Sequence, residues 1–380
     1  MNYPIRDIFS QGFELYRSFY EPNIQQRKVA SAISSCKTQT LGANVSICHE
    51  CGHKEVHYNS CRNRHCPSCQ LVPQTVWIEK RKLDLLPAPY FHAVFTVPDK
   101  LNSIFMANPK EMYNLLYDAA KDTLMTLAID SKHLGAEIGF ISLLHTFGQN
   151  LSYHPHLHVI VLGGGLTKDF KFKSVDEEFL FPIKVVSRLF RGKFLHKLKK
   201  LYSEFKLDLK GQLSKYKTKR TFNSFLQSLY EIEWVPYLKE TFNSPEAVIE
   251  YLGRYTHRVA ISNSRIIDFD DAFVSFRYKD YKSGEKKVMK LTTVEFIRRF
   301  LMHVLPKGFV KIRHYGILSN RSKGKKLAIC KNLLIKNMAK LNFKPLSDYS
   351  PKTVLKEILG FDITICKRCG AVMNQVVKLE

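Results

Sequence analysis

The sequence predicts an α+β protein with a cysteine-rich module ahead of its main domain, and three observations predict it. β-Favouring runs alternate with helical stretches, and hydrophobic residues make up 45% of 380 residues, enough for a sizeable core. Six of the nine cysteines fall into three C-x-x-C pairs. At this length two or three domains are expected.

Taken in chain order, Ile5 to about Ser35 reads as helical, with Ile8, Phe13, Leu15, Tyr16 and Phe19 on a rough apolar stripe. Cys36–Cys69 is the cysteine-rich segment. Leu85–Pro98 reads as a strand entered through a proline turn, because Tyr90, Phe91, Val94, Phe95 and Val97 favour β structure. Asn108–Ile129 reads as a helix, and Phe140–Leu144 and His156–Leu162 as strands. Val185 to about Arg220 is helical and very basic. Ser244-Pro245-Glu246 has the pattern of a helix start, with Ser at N-cap, Pro at N1 and an acid in the first turn; the helix runs through Tyr255. Val259–Phe269 and Ala272–Tyr278 are expected strands, Lys290–Leu305 a helix, and the tail after Lys323 basic and helical.

Net charge is +25, which calls for a polyanionic partner. A membrane surface fits poorly. The N-terminus lacks a signal-peptide core, and no apolar run approaches the roughly 18–20 residues that span a bilayer. Nucleic acid is therefore the expected partner. Cysteines in C-x-x-C pairs fit metal binding in a reducing cytoplasm better than a disulfide framework. No G-x-x-x-x-G-K-[ST] pattern occurs, so nothing points to ATP hydrolysis.

Two short motifs carry chemistry. His156 and His158 flank Leu157 in a strand, so both imidazoles face one side about 7 Å apart at their backbones, where they can converge on a divalent cation. A third ligand is needed; Gln149 is the first choice, with His154, His92 and His257 as alternatives. Tyr251 and Tyr255 lie four apart, on one face of the capped helix. A phenol oxygen attacking a phosphodiester conserves the bond energy for rejoining, and two phenols permit two successive cleavages. Arg254 and Arg258 are candidate phosphate contacts. Cys48, Cys51, Cys66 and Cys69 are expected to close one tetrahedral Zn²⁺ site, with Cys61 and His65 as spare candidates and Cys36 as a buried apolar residue. Arg62 and Arg64 in the same segment are expected to face DNA. Cys366 and Cys369 form a half-site for a possible second zinc, completed by Cys330 or a histidine.

The runs CHECGHKEVHYNSCRNRHCPSCQ, LLHTFGQNLSYHPHLHVIVLGGGL, YLGRYTHRVAISNSRI and IRHYGILSNRSKGKKLA, in this order, resemble the two-tyrosine HUH transposases of IS91-type rolling-circle insertion sequences. The resemblance covers about Cys36 to Cys369. It implies an HUH-endonuclease domain with a central antiparallel sheet flanked by helices, and a zinc-ribbon-like domain before it. The implied division is a helical segment and zinc domain over 1–80, and a catalytic domain over 81–275 with a basic helical insertion at about 180–240. A strand-helix extension over 276–345 and a tail over 346–380 follow. The H-U-H pair falls on His156 and His158, the nucleophiles on Tyr251 and Tyr255, and the zinc knuckles on Cys48, Cys51, Cys66 and Cys69. Where related initiators carry lysine, the tyrosine helix here has Gly253, Arg254 and Arg258.

The implied activity is cleavage and rejoining of single-stranded, element-end DNA through 5′-phosphotyrosine intermediates, with Mg²⁺ or Mn²⁺ as catalytic ion. A cytoplasmic, nucleoid-associated location and host replication machinery as a partner are further expectations. The basic stretch Arg191–Arg220 is expected to track phosphates. A replication initiator or relaxase would use the same chemistry, whereas a non-enzymatic zinc-containing DNA-binding regulator would bind DNA without forming an adduct.

Overall fold

The computed structural model describes residues 4–175, 180–240, 248, 251, 253, 255–257, 259–280, 283–338, 341, 345–373 and 375–379. The N-terminal stretch forms α1 (Ile5–Phe19) and α2 (Ile24–Ser34), broken at Pro22, with Asn23 and Gln26 closing a capping box on α2. β1 (Ala43–Ile47) and β2 (Lys54–Tyr58) make a hairpin, and α3 (Leu71–Lys82) follows the cysteines. Next come β3 (Tyr90–Thr96), α4 (Asn102–Ala107), α5 (Pro109–Ile129), β4 (Glu137–Phe147), β5 (Tyr153–Leu166) and a short β6 (Phe172–Ser174). α6 (Ile183–Ser203) and α7 (Lys219–Tyr230) precede β7 (Tyr237–Glu240).

The second half supplies β8 (Ile266–Phe269), β9 (Phe273–Lys279), β10 (Lys286–Thr292), a helix over Thr293–Met302 and β11 (Ile312–Gly316). Helices over Lys323–Leu333 and Pro351–Glu357 and the strand β12 (Gln375–Leu379) complete the described elements. Two expectations shift here. Lys286–Thr292 is a strand because its side chains alternate between exposed and half-buried, a period of two rather than 3.6. Val259–Arg265 forms no strand and ends in a 3-10 turn over Asn263–Arg265, so β8 begins only at Ile266. The Ser244-Pro245-Glu246 helix start lies outside the described residues.

All sheets are antiparallel. The central one runs β11-β4-β5-β3-β7, with β6 on β5; the others run β12-β1-β2 and β10-β9-β8. One face of the central sheet presents Phe91, Ala93, Phe95, Leu157, Val159 and Val161 to α4, α5, α6 and α7, forming the largest core. The other face is apolar at one end, where Tyr90, Ile141, Leu143, Ile160 and Leu162 pack with Val248, Ile317 and Leu327. Toward the other end it carries histidines. The basic stretch Arg191–Arg220 therefore lies on the face opposite the histidines, since Phe194, Leu195 and Leu198 of α6 anchor it in the largest core.

Packing also cuts across the linear division expected from sequence. α1 and α2 share a core with Val274, Phe276, Phe296 and Phe300, and Phe9 meets Phe300 edge-on at 5.0 Å. β11, from the same 276–345 stretch, instead extends the central sheet beside β4.

Candidate active site

β5 places His156 and His158 on the same sheet face, as their spacing requires, and β4 places His145 directly opposite His156. These three imidazoles form one cluster, with ligand atoms within 4.8 Å of one another. His145, which the sequence reading did not single out, thus joins the pair. The physical reason is register: β4 continues through Phe147, so the cross-strand partner of His156 lies inside the strand, while Gln149 sits in the turn beyond it. Gln149 lines the same cleft, and its carbonyl accepts a hydrogen bond from Arg265 Nη2. His154 contributes its carbonyl, which accepts from His156 Nδ1 at 2.7 Å. His257 turns to Thr256, with Nδ1 3.0 Å from its hydroxyl.

His92, on β3, stacks on His158 and sets its Nε2 2.9 Å from His158 Nδ1. Burial pushes the His92 imidazole down to about 4, so it is neutral at pH 7 and shares one hydrogen bond with His158. His156 Nε2 in turn lies 3.2 Å from His158 Nε2. At metal–nitrogen lengths of about 2.0–2.1 Å, neighbouring ligands lie about 2.8–3.4 Å apart in octahedral or tetrahedral geometry, so the spacing fits a bound divalent ion.

The tyrosines stand over this cluster. Tyr251, Gly253, Tyr255 and Thr256 are helical, and Tyr255 Oη donates to Tyr251 Oη at 2.9 Å. The Tyr255 ring lies 4.4 Å from that of His158, and Tyr251 meets His92 edge-on at 5.3 Å. His145 Nε2 is 2.8 Å from the Tyr255 carbonyl oxygen, so the third imidazole touches the tyrosine helix itself. Gly253 permits this docking: a Cβ there would lie 2.2 Å from Ile78 Cδ1 on α3. Arg254 and Arg258 lie outside the described residues.

Histidines and tyrosines share a cleft of about 900 Å³ whose walls include Thr96, Asn150, Tyr237, Tyr278, Lys279 and Asp280. Sequence reading did not single out Tyr237, Tyr278 or Lys279. Their strands come from distant parts of the chain, and no local motif marks them.

The cysteines assemble differently from the expected single site. Cys66 and Cys69 join Cys36 and Cys61, whereas Cys48 and Cys51 join Cys366 and Cys369. The reason is topological: Cys48 and Cys51 sit at the β1–β2 turn, and β1 pairs with β12, which follows Cys366 and Cys369 directly. Cys36 is therefore a cluster member as well as a core residue, and Cys330 stays buried in the apolar core. Sulfurs of Cys36 and Cys61 lie 3.5 and 3.7 Å from Cys69. Hydrogen bonds from Cys61 and Cys66 pull the Cys69 thiol down, while Cys61 and Cys69 push Cys66 up. Thiols so crowded ionise together only around a cation. Arg64 donates to the Phe309 carbonyl at 2.7 Å, and both Arg62 and Arg64 are exposed.

A family model described as "Putative transposase" matches residues 139–326, and a transposase zinc-binding domain model matches residues 8–97. The chain is 44% identical to "Putative transposase y4qJ" of Sinorhizobium fredii, over 99% of this chain and 94% of that protein. It is 29% identical to the transposase for insertion sequence element IS801 of Pseudomonas savastanoi pv. phaseolicola, over 89% of this chain and 80% of that one. No solved structure matches the chain. No helix among the described residues is long and apolar enough to cross a membrane. The two family models and the near full-length relative together place this chain in the family of IS91-type insertion-sequence transposases.

Proposed function

We propose that this transposase cuts and rejoins single-stranded DNA at the ends of a rolling-circle insertion sequence, with Tyr251 and Tyr255 as nucleophiles. The observation that carries the reading is that two hydrogen-bonded phenols sit beside a three-histidine cluster, with the Tyr255 ring 4.4 Å from that of His158. A divalent ion, Mg²⁺ or Mn²⁺, held by His145, His156 and His158 would polarise the scissile phosphate as a Lewis acid.

The chain's own residues do the rest. A phenol oxygen forms a bond to phosphorus, the bond from phosphorus to the 3′ oxygen breaks, and the phenolic proton is made up on that oxygen. The products are a 5′-phosphotyrosine and a free 3′-OH, and no nucleotide is consumed. The second phenol, 2.9 Å from the first, can serve a second cleavage while the first DNA end stays bound. His92 and the His154 carbonyl hold the His158 and His156 rings in register. Tyr237 and Tyr278 offer faces on which unpaired bases stack, and Lys279 offers charge to phosphate. In the N-terminal domain, Cys36, Cys61, Cys66 and Cys69 hold a structural zinc.

The test is a denaturant-resistant protein–DNA adduct formed from single-stranded element-end DNA and Mn²⁺. His156→Ala/His158→Ala is expected to abolish the adduct while retaining DNA binding. Adduct at the wild-type level in that variant contradicts the histidine assignment.

A further inference from the structure

We propose that Cys48, Cys51, Cys366 and Cys369 form a second structural zinc site, which staples the C-terminal segment onto the N-terminal module. The matched zinc-binding domain ends at residue 97, so half of this site lies outside it.

The sulfur geometry is the first ground. Cys48 Sγ lies 3.5 Å from Cys369 Sγ, and Cys51 Sγ lies 3.7 Å from Cys366 Sγ. With zinc–sulfur bonds of about 2.3 Å, sulfurs of a tetrahedral site stand about 3.7–3.8 Å apart, whereas a disulfide requires about 2.05 Å. The observed edges match the tetrahedron.

The second ground is that the two halves are copies of one local fold. In Cys48-His-Glu-Cys51-Gly52-His53, the Gly52 N–H donates to the Cys48 carbonyl at 2.9 Å and the Cys48 N–H to the His53 carbonyl at 2.9 Å. In Cys366-Lys-Arg-Cys369-Gly370-Ala371, the Gly370 N–H donates to the Cys366 carbonyl at 2.9 Å and the Cys366 N–H to the Ala371 carbonyl at 2.8 Å. Both glycines are left-handed, at φ +67° and +76°. Cys66-Pro-Ser-Cys69-Gln70 lacks the glycine and belongs to the other cluster.

The third ground is what the site joins. β12 continues the β1–β2 sheet in register from Ala43↔Leu379 to Ile47↔Gln375, and Lys367 pairs with Glu55 of β2. The helix Pro351–Glu357 packs on α3, whose Ile78 abuts Gly253 of the tyrosine helix. The staple thus holds a layer that backs the helix carrying the two tyrosines.

Zinc analysis of the full-length reduced protein tests this. Wild type is expected to hold two zinc ions per chain, and Cys366→Ser/Cys369→Ser and Cys36→Ser/Cys61→Ser one each. One ion in wild type, or two in Cys366→Ser/Cys369→Ser, overturns the proposal. Thiol labelling of the wild type gives a readout independent of variant folding. Cys369 is exposed yet should resist alkylation until a chelator is added, and trypsin should then cut after Lys352 or Lys356. Immediate labelling of Cys369, or a Cys48–Cys369 disulfide under reducing preparation, overturns it equally.

Discussion

Replacing His92 tests how the catalytic histidines are held. His92 is buried, and its Nε2 lies 2.9 Å from His158 Nδ1, tying the His158 ring in place with its Nε2 toward His156. His92→Leu removes the hydrogen-bond partner of His158 Nδ1 in a buried setting, which costs roughly 1–3 kcal/mol. Loss of such a partner behind a metal-binding histidine lowers metal affinity by roughly 10–100-fold, equivalent to about 1.4–2.7 kcal/mol. The two estimates agree. The assay is adduct yield against Mn²⁺ concentration. His92→Leu should raise the Mn²⁺ midpoint roughly 10–100-fold with yield restored at saturation, and His92→Gln, which keeps an acceptor, should recover much of the shift. An unchanged midpoint, or a yield that no metal concentration restores, refutes a positioning role.

Other outcomes follow from particular contacts. Tyr237→Ala should weaken single-stranded DNA binding by about 1–3 kcal/mol if its exposed ring stacks on a base; titration showing equal affinity counts against that role. Lys279→Gln should weaken binding with little sequence dependence and reduce the salt slope by about one, read from affinities at several salt concentrations. Gly253→Val drives a side chain into Ile78 and should cost about 1–3 kcal/mol in melting experiments and lower adduct yield, with Ile78→Ala restoring both in part. Arg298, and then Arg299, hold the Glu295 carboxyl down to about 2, from an unfolded value of 4.5. The contribution is therefore full above about pH 4.5 and lost as pH falls through about 2. Glu295→Gln should lose about 0.5–1 kcal/mol at pH 7 and show a shallower acid decline across that window in pH-dependent melts.

The parts of the site legible in sequence are those whose logic is local. Alternation in a strand places His156 beside His158, and the helical turn places Tyr251 beside Tyr255; both pairs meet as their spacing requires. His145 is set by register across a turn, and β4 is buried along almost its whole length, so no polar alternation marks where it ends. Cysteine pairing is a long-range matter as well: a C-x-x-C says that two thiols form a knuckle, but not which knuckle it meets. One signal was present. Cys48-x-x-Cys51-Gly52 and Cys366-x-x-Cys369-Gly370 share a glycine that Cys66-x-x-Cys69 lacks, and the structure joins the two that share it. Similarly, Lys290–Thr292, the end of β10, reads as helix because the helical stretch Thr293–Met302 follows it without a break.

The central claim, that Tyr251 and Tyr255 are the nucleophiles, is tested most directly by digesting the trapped adduct and locating the nucleotide-bearing residue by mass spectrometry. The account predicts a phosphodiester on Tyr251 or Tyr255, and no adduct from Tyr251→Phe/Tyr255→Phe. A nucleotide on any other residue, or undiminished adduct in the double variant, would contradict it.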